Sequence, residues 1–200
     1  MNRRELLVFA SGALAALPLP ALAAGAPAFE VLDTRLQKRR LSEFQGKTVV
    51  LEWTSMSCPY VRAQYESGVM PELQKWAAGQ GVVWLSILST HPSRRDYLAP
   101  DKADALHRGR GAAPAALLID SAGSMGRAYG AMVTPQMFVI DPKGELVYSG
   151  AISDNATRSA KEARTSRNYV RAALEDLAAG RKVATPSTRP FGCTIAYSGD

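Results

Sequence analysis

Two cysteines, two histidines and one carboxylate inside an apolar run are the residues of this 200-residue chain that point to chemistry. Cys58 follows the run Val49-Val50-Leu51-Glu52-Trp53 by a few residues and stands directly before Pro59, where a helical pattern begins. A helix start exposes unpaired backbone N–H groups and the positive end of the helix dipole. Both favour a thiolate over a thiol, and the thiolate is the reactive form. Pro59 suits the first helical position, where its missing N–H costs nothing. The competing reading, an inert core cysteine, fits a strand-to-helix junction poorly. Glu52 lies six residues before Cys58 in an apolar strand, where a carboxylate is costly unless it is paired or functional. The bland alternative for Glu52 is a solvent-facing residue or one paired with a lysine. The second cysteine, Cys193, sits in Pro190-Phe191-Gly192-Cys193-Thr194-Ile195-Ala196-Tyr197, an apolar stretch for a terminus that is expected to pack on the domain. Gly192 permits a close backbone approach. If that tail crosses the face carrying Cys58, the two thiols can join once their Cα atoms come within ~7 Å. A reversible pair, a static bridge and two separate thiols all remain open at this level.

The elements that must position these groups follow from periodicity and turn signals. Strands are expected at Phe29–Asp33, Thr48–Trp53, Val82–Leu88, Ala115–Ile119 and Met137–Ile140. A further strand from Glu145 to Tyr148 returns after the turn Asp141-Pro142-Lys143-Gly144. Leu41–Phe44 reads as a single helical turn. A helical pattern is expected from Pro59 to Ala78, kinked or interrupted near Val69-Met70 by Pro71, with others at Asp101–Arg108, Met125–Tyr129 and Ser166–Ala179. Strands alternating with helices, then a hairpin and a closing helix, predict an α/β domain with a central mixed sheet flanked by helices. That domain spans residues 29–180, and the tail over 181–200 shows no regular pattern.

The formal net charge of +6 comes from scattered basic residues mixed with acidic ones, a solvated basic surface rather than a nucleic-acid-binding face. Residues 1–24 read as a signal peptide: Arg3-Arg4, an uncharged stretch from Leu6 to Leu22, then Ala21-Leu22-Ala23 as a cleavage pattern. The arginine pair resembles a twin-arginine signal, with Asn2 where Ser or Thr is usual. Gly12, Pro18 and Pro20 argue against a membrane-spanning helix, so no stable anchor is expected after cleavage. An exported, periplasmic location follows as an expectation. His91 and His107 fall in a polar, basic stretch and read as solvated. With no second Cys near Cys58, neither a metal nor a cofactor is expected.

Val49 to Val61, with Ser57-Cys58-Pro59-Tyr60 at its centre, resembles the active-site segment of the thioredoxin-like redoxin family, including its alkyl hydroperoxide reductase–thiol-specific antioxidant branch. A second segment, Val133-Thr134-Pro135-Gln136-Met137-Phe138-Val139-Ile140-Asp141, resembles the loop that carries a cis-proline opposite the reactive cysteine in that fold. The resemblance implies a thioredoxin-like fold, Thr134-Pro135 as the substrate-recognition edge, and Glu52 as a buried proton relay. It departs from dithiol members, since Cys58-Pro59-Tyr60-Val61 has Val61 where the second cysteine would stand. Three functions follow. A thiol–disulfide oxidoreductase would use Cys58 as attacking thiol and Cys193 as resolving thiol, on protein or small-molecule thiols and disulfides. A peroxiredoxin-like antioxidant peroxidase would act on peroxides with Ser55 in the position of that motif's threonine, Leu51 replacing its proline, and Arg62 or Arg127 as candidate thiolate partners. A non-catalytic binding module of the same fold is the third.

Overall fold

The computed structural model describes residues 25–197; the expected signal segment 1–24 and residues 198–200 lie outside the described residues. Val49–Trp53 (β3) is buried at every position, as its continuous apolar run requires. It pairs in parallel with Val83–Leu88 (β4), which pairs in parallel with Ala116–Ile119 (β5). On its other side β3 runs antiparallel to Gln136–Ile140 (β7), and β7 to Leu146–Gly150 (β8). Glu30–Asp33 (β1) and Lys38–Arg40 (β2) complete a seven-stranded mixed sheet in the order β2-β1-β5-β4-β3-β7-β8.

Alternation along β3 divides the core. Leu51 and Trp53 point to one face, with Leu85, Ile87, Leu118 and Phe138, beneath Ser124–Tyr129 (α4). Val50 and Glu52 point to the other. That face is covered by Pro59–Glu66 (α1), Val69–Gly79 (α2), Pro100–Gly109 (α3) and Tyr169–Ala178 (α6), the last following the short helix Ala160–Thr165 (α5). The fold is thioredoxin-like, as expected: a central mixed sheet with helices on both faces.

Three local expectations change. The helical pattern over 59–78 is interrupted rather than kinked, giving two helices. The break falls at Ser67-Gly68, where Gly68 takes the left-handed conformation (φ 81°), ahead of the proline. Pro71 is then the third residue of α2, within the first turn, where no N–H is needed. The charged stretch Lys38–Arg40 pairs as an edge strand against Glu30, Val31 and Leu32. The tail is not patternless either. Cys193–Thr194 (β9) forms a two-stranded antiparallel ladder with Val133–Thr134 (β6).

Candidate active site

Cys58 caps the N-terminus of α1, its carbonyl accepting the N–H of Arg62 at 2.9 Å, and Pro59 is the first helical residue. The side chain is 1% exposed, packed with Val61, Met137 and Ile152. It is joined to Cys193 by a disulfide, with Cα atoms 5.9 Å apart and 135 positions between them in sequence. The sulfur of Cys58 lies 3.1 Å from the carbonyl oxygen of Thr134, and the Thr134-Pro135 peptide is cis. The structure thus brings Cys58, Cys193, Thr134 and Pro135 to one place from three distant parts of the chain.

The tail reaches this place through a series of specific contacts. Thr188 anchors it to β8: its hydroxyl accepts the Ala151 N–H at 2.9 Å, and its own N–H donates to the Ser149 carbonyl at 3.1 Å. Phe191 packs against Tyr60, ring centroids 6.0 Å apart. Gly192 has φ 143° and lies so close to the Thr134 carbonyl that an added Cβ would collide with it. Cys193 then registers with Thr134, and Thr194 with Val133. Beyond them the Ile195 N–H donates to the Met132 carbonyl at 2.9 Å. The Tyr197 ring covers Gly123 and Gly126, and its hydroxyl donates to the Ala131 carbonyl at 2.6 Å. The tail therefore occupies the edge at Thr134-Pro135 as an added strand.

Glu52 is fully buried and accepts four neutral donors: the Tyr65 hydroxyl at 2.8 Å, the Trp84 indole N–H at 2.9 Å, the Ser86 hydroxyl at 2.9 Å and the Gln74 amide at 3.0 Å. It is neither solvent-facing nor matched with a lysine. Burial pushes its carboxyl above the ordinary range, and these hydrogen bonds oppose that shift without cancelling it. It shares the helix-covered face of β3 with Val50, which belongs to the same apolar cluster as Cys58.

Ser55 is half-buried, its hydroxyl 3.1 Å from that of Ser57, which donates to Asp96 at 2.9 Å. A cavity of about 90 Å³ opens here, lined by Thr54, Ser55, Ser57, Arg94, Asp96 and Cys193, among others. Cys193, half-buried, borders this cavity; Cys58 does not.

Two participants escape the sequence reading. Arg110, just past α3, donates to the Met56 carbonyl at 2.6 Å and so holds the loop leading into Cys58. The side chains of the candidates Arg62 and Arg127 have other partners. Arg62 is 3.6 Å from Glu66 in an exposed ion pair, and Arg127 stacks on the Tyr197 ring at 5.0 Å. His107, expected on the surface, is 2% exposed, its ring edge-on to Tyr65 at 5.3 Å and both ring nitrogens without a partner. His91 keeps its place on a polar loop, Nδ1 2.8 Å from the Ser93 hydroxyl. Nothing in the spacing of the polar segment distinguishes the buried histidine from the wet one. Among the described residues, no cluster of three or more His, Cys, Asp or Glu is arranged to hold a metal ion.

A buried cysteine at a helix start, bridged to a second cysteine beside a cis-proline, defines the class: a thiol-based oxidoreductase site on a thioredoxin-like fold. The chain belongs to the AhpC/TSA family, whose model matches residues 22–149. The tail with Cys193 lies beyond that match. No curated protein matches the sequence. Among solved structures, the chain is similar to a hypothetical protein from Sinorhizobium meliloti 1021, at 24% identity and TM-score 0.76, covering 90% of this chain and 96% of that one. It is equally similar to an uncharacterized conserved protein from Geobacillus kaustophilus, at 22% identity and TM-score 0.76 over 92% and 95% of the two chains. The thioredoxin domain of a thiol-disulfide oxidoreductase from Bacteroides vulgatus aligns at 17% identity and TM-score 0.51, over 64% of this chain and 87% of that one.

Proposed function

We propose that the protein is a thiol–disulfide oxidoreductase in which Cys58 attacks and Cys193 resolves, cycling between the bridged form and a dithiol. The observation that carries this reading is the Cys58–Cys193 bond itself, formed beside Thr134-Pro135 by a tail that supplies the thiol missing from position 61. In the reduced chain the Cys58 thiolate, favoured by the start of α1, attacks a substrate disulfide to give a mixed disulfide and release one substrate thiolate. Cys193 then attacks Cys58 within that mixed disulfide, releasing the second substrate thiolate and restoring the bridge. Glu52 takes the thiol proton from Cys58 in this scheme, burial having raised its pKa above the ordinary carboxylate range and so made its carboxylate a stronger base. Ser55, Pro59, Thr134 and Pro135 form the surface that receives substrate. Residues 29–180 are the catalytic unit, and residues 181–200 carry the resolving thiol to it. The segment 1–24 directs export, which suits a protein that works on disulfides outside the cytoplasm.

Reduced wild-type protein is expected to reduce a model disulfide such as 5,5′-dithiobis(2-nitrobenzoate) stoichiometrically and to end in the bridged form. Cys58→Ser is expected to lose the reaction, and Cys193→Ser to stop at a stable mixed disulfide on Cys58. Equal reaction of wild type and Cys58→Ser would remove Cys58 from its role. Loss of all exchange, with the fold retained, would leave a binding module.

Peroxidase chemistry is a second reading, favoured by Arg110 held against the loop before Cys58 and by the family. It requires Cys58 to be oxidised to a sulfenic acid by peroxide and Cys193 to condense with it, expelling water. Hydrogen peroxide consumption, with a dimedone adduct on Cys58 in the Cys193→Ser variant, separates it from disulfide exchange.

A further inference from the structure

The bridge has two unequal sulfurs. That of Cys58 is sealed: the side chain is 1% exposed, beneath Thr134 and the tail. That of Cys193 belongs to a half-buried residue bordering the polar cavity of about 90 Å³. In the bridged form the Thr134 edge is also occupied by β9, so a protein strand has no free edge to pair with there. What remains open is the cavity. Its wall is hydroxyl-rich, with Ser55, Ser57 and Thr54, whose buried hydroxyl has no hydrogen-bond partner. Arg94 also lines the cavity, and Asp96 accepts from the Ser57 hydroxyl.

Resting on the reversible-pair reading above, we propose that this cavity is the reductant site of the bridged protein. It admits a small thiol bearing a carboxylate, and the incoming thiolate attacks Cys193 rather than Cys58. The S–S bond breaks toward Cys58, which departs as a thiolate at the start of α1, where the helix dipole stabilises the leaving charge. The small thiol is left in a mixed disulfide on the tail. A second equivalent of the same thiol attacks that adduct, giving the small-molecule disulfide and the free Cys193 thiolate, so two thiols supply the two electrons. Electrons thus enter through the tail cysteine and leave through Cys58, a division of labour between the two sulfurs. Arg94 positions the carboxylate of the reductant.

The test uses the bridged full-length protein, with glutathione as the carboxylated probe and 2-mercaptoethanol as the uncharged one. Samples are quenched early with acid, alkylated, and mapped by peptide mass. The expected product carries glutathione on the Cys193 peptide and alkylated Cys58. Arg94→Ala is expected to slow reduction by glutathione about two- to fivefold, the loss of one exposed ion contact, while leaving the 2-mercaptoethanol rate unchanged. Glutathione on Cys58 with Cys193 alkylated would overturn the regiochemistry and leave the oxidoreductase reading standing. An equal effect of Arg94→Ala on both thiols, or none on either, would overturn the carboxylate site. A bridge that no thiol reduces without unfolding the chain would overturn this proposal and the reversible pair together.

Discussion

Glu52 is a carboxylate held by four neutral donors and no cation, so its charged form is tolerated rather than favoured. Such a group is suited to move a proton and poorly suited to stabilise a fold. Glu52→Gln is expected to lower the rate at which reduced Cys58 is alkylated about 10- to 100-fold near neutral pH, and to flatten its pH dependence. An unchanged pH profile, measured by stopped-flow alkylation in the Cys193→Ser background, would make Glu52 purely structural. His107 makes a different prediction. Burial first, and then the neighbouring Arg110, push its pKa down to about 4, against the pull of Asp104. The unfolded chain therefore binds the extra proton between pH ~6.5 and ~4 while the folded chain does not. The associated stability is fully present above pH ~6.5 and is lost as the pH falls toward 4, by up to about 3 kcal/mol. Urea unfolding at pH 4.5 and 7 should show this loss in wild type and a smaller one in His107→Leu; equal losses would place the effect elsewhere.

The tail is the element on which the site depends. Its register is fixed by Gly192, whose φ of 143° and closeness to the Thr134 carbonyl leave no room for a side chain. Gly192→Ala is expected to shift the equilibrium between bridge and dithiol toward the dithiol by tenfold or more, read by trapping in a fixed redox buffer. An unchanged oxidised fraction would mean the tail can find another register. Tyr197 seats on Gly126 in the same way, so Gly126→Ala should loosen the tail with little effect on the sheet. How much of this was legible beforehand varies with the range of the interaction. The helix start at Cys58 and the strand carrying Glu52 are written in local patterns, a proline at the first helical position and an apolar run, whereas the loop at Thr134-Pro135 is legible only through its resemblance to the redoxin family. The pairing of β9 with β6 is written nowhere locally, because two-residue strands have no period and their partner is some 60 residues away. The sequence suggests a break at Val69-Met70, just after its place at Gly68, because a proline three residues into a new helix looks, in sequence, like one interrupting an old helix. The burial of His107 was hidden for a similar reason: α3 is polar on most sides, and its buried side is set by Tyr65 and the sheet rather than by its own pattern.

At the scale of the molecule, the bridge spans most of the chain and closes the tail onto a sheet that is otherwise complete. A link over 135 positions restricts the unfolded chain strongly, worth about 5 kcal/mol in the chain-entropy account and commonly ~2–4 in practice. Reduction should therefore lower the melting temperature by roughly 5–15 °C while leaving the sheet folded at 25 °C. Loss of cooperative unfolding on reduction, by circular dichroism, would show that the bridge is needed for the fold itself. A reversible pair and a permanent staple make opposite predictions about how firmly the bridge is held. The direct measurement is the reduction potential of the native protein, by equilibration in graded dithiothreitol buffers, acid trapping and peptide mapping of Cys58 and Cys193. A redox-active pair is expected to titrate as one two-electron transition between roughly −150 and −280 mV. A bridge that stays fully oxidised below about −300 mV, or opens only when the chain unfolds, would contradict the claim that Cys58 is a working thiol.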